Sequence, residues 1–212
     1  MPNKNKKNYK ALALSVFLVV AFIIVQVLDF AVGVTATDTV NLTTTVLSSI
    51  SLNCGGGATV AFGNLTPGTP LTGTTTCTTA TNATSGYALA VKRNDADTTM
   101  DLASDAATNI ADKTDWTSSS PNGVIWSGTG LGFRVKQTGT ATGYDATWWG
   151  TDDTAPNAKF AGFPAAYDNI FVYASHSSSA TDAVIEYKLD VPATQKAGAY
   201  DGVITYQVTS NP

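Results

Sequence analysis

Glutamate is almost missing from this chain: Glu186 is the single one in 212 residues. Charged side chains of all kinds make up 13% of the sequence, about half the usual share of ~25%. Leucine is also sparse beyond residue 36, so the strong helix formers are in short supply there. Threonine, serine, glycine and alanine fill the gap; threonine favours strands, and glycine and serine favour turns. This is an all-β composition. Histidine is equally scarce, with His176 alone in Ala174-Ser175-His176-Ser177. A catalytic histidine needs a nucleophile and an orienting acid close in space. No Gly-x-Ser-x-Gly elbow supplies the nucleophile. The chain therefore reads as a non-enzyme with no cofactor, and His176 as a surface-loop residue. Two cysteines and one histidine are too few for an ordinary zinc site.

Basic charge is confined mostly to the beginning. Lys4, Lys6, Lys7 and Lys10 precede an uncharged apolar run from Ala11 to Leu28. As a helix those 18 residues span about 27 Å, against a bilayer core of ~30 Å. A basic start, an apolar core and a small-residue stretch form a secretory signal. Val34-Thr35-Ala36 offers small residues for cleavage between Ala36 and Thr37. The competing reading keeps residues 1–36 as an N-terminal membrane anchor. The lysines hold that end in the cytoplasm, so the remainder is translocated either way, through the Sec route to the cell surface or beyond. Contact with membrane is expected only through residues 11–28. A type IV pilin start would need a short leader and an early glutamate, and neither is present.

Residues 37–212 then form a single expected domain. Without the four lysines and Asp29, eight basic and fifteen acidic side chains remain, a net charge near −7. That excludes a basic face for nucleic acid. In an exported chain, Cys54 and Cys77 are expected to form one disulfide.

What is abundant is two-residue alternation. Val40, Leu42, Thr44, Val46, Ser48, Ile50 and Leu52 share one parity, which means extended chain from Thr39 to Cys54, too long for one strand and expected to bend near Ser48-Ser49. Further strands are expected at Thr59–Phe62, Thr72–Thr79, Tyr87–Val91, Val124–Trp126, Leu131–Val135, Ile170–Ala174, Ile185–Val191 and Ala199–Thr209. Residues 94–121 and 137–168 read as irregular inserts, the first with a short helix between Asp101 and Asp112. Six aromatics in the second argue that it packs on the domain. Ser175–Thr181 reads as a loop. About nine strands with turn signals between them predict a two-sheet, Ig-like β-sandwich behind an N-terminal hydrophobic signal or anchor helix.

Two stretches carry a family likeness. One runs from Cys54 through Val60-Ala61-Phe62-Gly63, Pro67-Gly68 and Thr74-Thr75-Thr76-Cys77 to Tyr87-Ala88-Leu89. The other is Val191-Pro192-Ala193-Thr194-Gln195-Lys196-Ala197-Gly198-Ala199-Tyr200-Asp201-Gly202. Together they resemble secreted β-sandwich subunits of the spore coat protein U and archaic fimbrial type. That resemblance implies an Ig-like sandwich and an extracellular structural or pilus-subunit role in a bacterium.

Three candidate sites follow. The alternating arm, with Val40, Leu42, Val46, Ile50 and Leu52, is a candidate assembly strand for a neighbour's sheet edge or for other surface proteins. Tyr144, Trp148 and Trp149 form a candidate sugar-stacking platform, against the plainer reading that they pack on the sheet. Asp95, Asp97 and Asp101 alternate as oxygen ligands for Ca²⁺ would, but without the glycine and closing glutamate of an EF-hand they read first as a solvated acidic turn. The triplets at Asn41, Asn64 and Asn82 match the glycosylation pattern, as chance would allow in a chain so rich in threonine.

Overall fold

The computed structural model describes residues 12–20, 36–57, 59–136, 143–151 and 157–211. The chain divides into two units, residues 1–45 and residues 46–212. In the first, residues 12–20 are helical and residues 36–45 are exposed and outside any strand. The lysine cluster and the rest of the apolar run lie outside the described residues. Among the described residues no helix is long and apolar enough to cross a membrane.

The second unit is the β-sandwich. One sheet has the order β1-β2-β10-β7, from β1 (Ile50–Cys54), β2 (Leu71–Thr81), β7 (Gly130–Lys136) and β10 (Ser177–Asp190). The facing sheet is β12-β3-β9, from β3 (Tyr87–Arg93), β9 (Asp168–Tyr173) and β12 (Ile204–Ser210). All pairings within the two sheets are antiparallel. Alternation places Ile185, Tyr187 and Leu189 of β10 and Phe133 and Val135 of β7 against Tyr87, Leu89 and Val91 of β3. A period of two in side-chain direction makes that inner layer. Cys54 and Cys77 stand opposite each other in the β1–β2 register and are joined in a disulfide.

Two smaller sheets complete the unit. β4 (Met100–Leu102) lies between β5 (Asp105–Ile110) and β11 (Tyr200–Asp201), and β6 (Val124–Ile125) pairs with β8 (Lys159–Phe160). The aromatic insert does pack on the domain. Trp116 stacks on Trp149 at 4.4 Å, Phe133 on Phe163 at 4.4 Å, and Phe133 lies 5.3 Å from Trp149. Arg93 ties this layer down by pairing with Asp115 at 2.7 Å and donating to the Phe163 carbonyl.

Several local expectations are corrected. The expected helix at Asp101–Asp112 is the β4–β5 hairpin. The expected loop at Ser175–Thr181 already belongs to β10 from Ser177. The final strand is split into β11 and β12 at Gly202-Val203. The alternation from Thr39 enters a strand only at Ile50. Thr59–Phe62 belongs to no strand, although Val60 and Phe62 do pack on the core.

Candidate functional site: an open seam in the sandwich

β1 is the edge of its sheet and β12 the edge of the other, and these two edges face each other. The inward residues there, Ile50 and Leu52 on β1 and Ile204, Tyr206 and Val208 on β12, are only half-buried, while Leu89 and Val91 one strand further in are fully buried. The two edges approach each other closely, and the sandwich opens at the end where Cys54, Ile204 and Tyr206 border a cavity.

Residues 59–65 run through the opening. Val60 lies over Gly73 of β2, where even a Cβ would come within 2.4 Å of its Cγ1. Glycine at 73 is what lets an unpaired segment lie against the inner face of the sheet. Val60, Phe62 and Leu65 fill part of the space. Two cavities remain around them. The larger, about 880 Å³, runs past Phe62, Leu65, Met100, Leu189 and Tyr200. The smaller, about 370 Å³, is bounded by Val60, Met100, Tyr187, Ile204 and Tyr206. The Tyr187 and Tyr206 hydroxyls meet at 2.7 Å, linking the two sheets. Burial raises both phenol pKa values, that of Tyr206 well above the ordinary value.

The chain reaches β1 through a fixed point. Asn82 accepts from Ser49 N at 2.6 Å and donates to the Leu47 carbonyl at 3.0 Å, and Thr81 Oγ1 donates to the Ser49 carbonyl at 2.9 Å. Both ends of the Asn82 amide are engaged, so the triplet it begins is structural here. On the N-terminal side of that point Val46 is 80% exposed, Leu42 92% and Val40 81%. Ala36 and Thr37 are exposed as well. Of the five assembly-strand residues, then, Ile50 and Leu52 belong to β1 and Val40, Leu42 and Val46 do not.

The other candidates fare differently. Trp149 has no exposed surface and donates from Nε1 to the Ile170 carbonyl at 3.0 Å. A ring buried on both faces cannot stack on a sugar, so Trp149 leaves the proposed platform. Tyr144 spends its hydroxyl on the Gly150 carbonyl at 2.6 Å, and Trp148 leans on Trp116 at 5.2 Å. Tyr144 and Trp148 are half-exposed and line an open pocket of about 360 Å³ with Val172, so of the three only Trp149 is wholly taken up in packing. Asp95 accepts from Asp97 N, Asp97 from Asn109 Nδ2, and Asp101 from Thr98 Oγ1. The Asp95 carboxyl lies below its ordinary pKa, first through its hydrogen bond with the Asp97 side chain. Among the described residues no group of three histidine, cysteine or acidic side chains is placed to hold a metal ion. These aspartates shape a turn. His176 is exposed in the connector between β9 and β10.

Sequence reasoning missed the seam itself. The shared parity of Val60 and Phe62 was the available signal, since an apolar pair without strand partners must bury itself some other way. No protein-family model matches the chain, and no curated protein matches it significantly.

Proposed function

We propose that this is an exported structural protein of the cell surface, a filament or coat subunit that assembles through strand pairing. The observation that carries the reading is a complementary pair of features on one chain. The sandwich opens beside the half-buried Ile204 and Tyr206 of its edge strand β12, and the arm before β1 exposes Val40, Leu42 and Val46 at two-residue spacing. An unpaired sheet edge is a template for another strand, with main-chain hydrogen bonds supplying affinity and alternate side chains supplying register. The nine residues from Thr39 to Leu47 reach about 30 Å when extended, enough to run beside a seven-residue β12 at ~3.3 Å per residue. The arm of one copy is thus matched in length and pattern to the seam of the next. The likeness to fimbrial and coat subunits points the same way.

The purified full chain is expected to form oligomers or filaments in size-exclusion chromatography and negative-stain microscopy, and Leu42→Asp to reduce them. A strict monomer at high concentration overturns the reading. Mass analysis of the N-terminus of protein taken from its native cell separates the two forms of the proposal. A start at Thr37 leaves the arm free to reach a partner, whereas retained lysines make it a membrane tether.

A further inference from the structure

Three tryptophans cluster against β9, and one of them differs from the other two. Trp116 and Trp149 are buried and stacked on each other, and both spend their indole N–H on the backbone of β9. Trp116 donates to the Asn169 carbonyl at 2.8 Å and Trp149 to the Ile170 carbonyl at 3.0 Å. Trp148 meets Trp116 at an interplanar angle of 57°, so this neighbour covers it only in part and it stays half-exposed. No hydrogen bond engages its Nε1–H among the described residues, and Nε1 is not one of the buried polar atoms left without a partner. It is a donor open to solvent.

Beside Trp148 lies a cavity of about 360 Å³, lined also by Tyr144, Asp145 and Val172. Its frame is fixed by the fold. Gly143 lies against Phe171, where a Cβ would come within 2.3 Å of that buried ring. The Tyr144 hydroxyl donates to the Gly150 carbonyl at 2.6 Å. Asp145 accepts from Thr147 N and Oγ1, both through Oδ1, and its Oδ2 has no partner among the described residues. Val172, 37% exposed, adds an aliphatic flank. The cavity thus brings together an aromatic ring, an aliphatic side chain, one open N–H donor and one open carboxylate oxygen. Small-molecule sites combine apolar walls with a few placed polar groups in this way, within ~300–1,000 Å³.

That set of groups matches a sugar. A pyranose ring has an apolar C–H face to lie on the Trp148 ring and against Val172. It has hydroxyls that donate to a carboxylate and hydroxyls that accept from an indole N–H. The lining residues include the Asp145 carboxylate and no cation. Lys159, close by, already donates to the Thr147 carbonyl at 3.0 Å. An anionic ligand is therefore disfavoured. We propose that this cavity binds a neutral glycan, with one hexopyranose resting on Trp148, and with Trp148 Nε1 donating to, and Asp145 Oδ2 accepting from, hydroxyls of the same glycan. β9 is the edge of its sheet opposite β12, so a partner strand at the seam leaves the cavity open.

The test follows tryptophan emission and calorimetric heat as the full chain is titrated with cellohexaose, maltohexaose, chitohexaose and mannohexaose, with polygalacturonate as an anionic comparator. At least one neutral oligosaccharide is expected to bind and to shift the emission of Trp148 to the blue, and polygalacturonate not to. Trp148→Ala is expected to weaken binding about tenfold or more, through loss of the ring and its donor together. Trp148→Phe keeps a ring and loses the donor, for a loss of about fivefold. Asp145→Asn keeps an oxygen for Thr147 and removes the charged acceptor, for a loss of about tenfold. Val172→Lys crowds the cavity from an exposed position and is expected to abolish binding with the melting temperature unchanged, so lost binding is not lost folding. All these positions lie away from the seam, so self-assembly persists in the variants and the two readings fail separately. Absence of binding to every neutral oligosaccharide, or binding that survives both Trp148→Ala and Val172→Lys, overturns the proposal. Tighter binding of polygalacturonate than of any neutral oligosaccharide overturns its assignment to a neutral glycan.

Discussion

Asp112 is a carboxyl group that the fold has taken out of water. Thr99 donates to its Oδ2 from both N and Oγ1, at 2.9 and 2.7 Å, while Oδ1 is buried without a hydrogen-bond partner among the described residues. Burial is the dominant influence and raises its pKa from 3.8 to about 6, against the opposing pull of the Thr99 bonds and of Arg93. A carboxyl with a raised folded pKa binds its proton more tightly in the fold than in the unfolded chain. Its contribution to stability is complete below the unfolded value of 3.8 and is lost as pH rises through about 6. Asp112→Asn keeps an acceptor for Thr99 and removes the buried charge. Compared with the parent, the variant is expected to gain about 2–3 kcal/mol at pH 7 and only about 0.5 kcal/mol at pH 4. Urea unfolding across that interval measures the difference; a gain of equal size at both ends would show that ionisation is not its source.

The element that most depends on a single neighbour is the segment from Thr59 to Leu65, which belongs to no strand and is held by its side chains. Gly73→Val would place methyl groups where Val60 now sits. Overpacking of this kind costs about 1–3 kcal/mol, and here the unpaired segment is the part able to yield. Hydrogen exchange is expected to accelerate at residues 59–65 while β3 and β9 keep their protection; uniform acceleration across the sandwich would contradict that hierarchy. The same segment marks where the sequence stopped being legible. β3, β7 and β10 were readable because each alternates cleanly between a buried and a solvated face. β4 and β5 were not. Asp101-Leu102-Ala103-Ser104-Asp105 lacks a two-residue pattern, and Asp101 and Leu102 take their strand pairing partly from Tyr200 and Asp201, far away in sequence. The serine-rich start of β10 likewise takes its strand character from β2, which it continues to pair after a register shift at Ser177/Thr181. At the candidate sites, the disulfide was legible from two cysteines and the expectation of export. The burial of Trp149 was not, because stacking on Trp116 joins two inserts that share no local pattern.

At the scale of the whole molecule, net charge and the proposed assembly pull in opposite directions. The full chain carries −4, and residues 37–212 near −7, so copies repel one another with or without residues 1–36. Attraction at the seam would come from apolar side chains and main-chain hydrogen bonds, which salt does not screen, whereas the repulsion acts through solvent and is screened within a Debye length. That length falls from ~30 Å at 0.01 M to ~10 Å at 0.1 M ionic strength. Assembly through the seam is therefore expected to strengthen as salt rises over this range, and Leu42→Asp to weaken it at every salt concentration. Light scattering of the full chain at fixed protein concentration reads both effects. If added salt instead dissolves the oligomers, their contacts are ion pairs, and the apolar arm is not what joins one copy to the next.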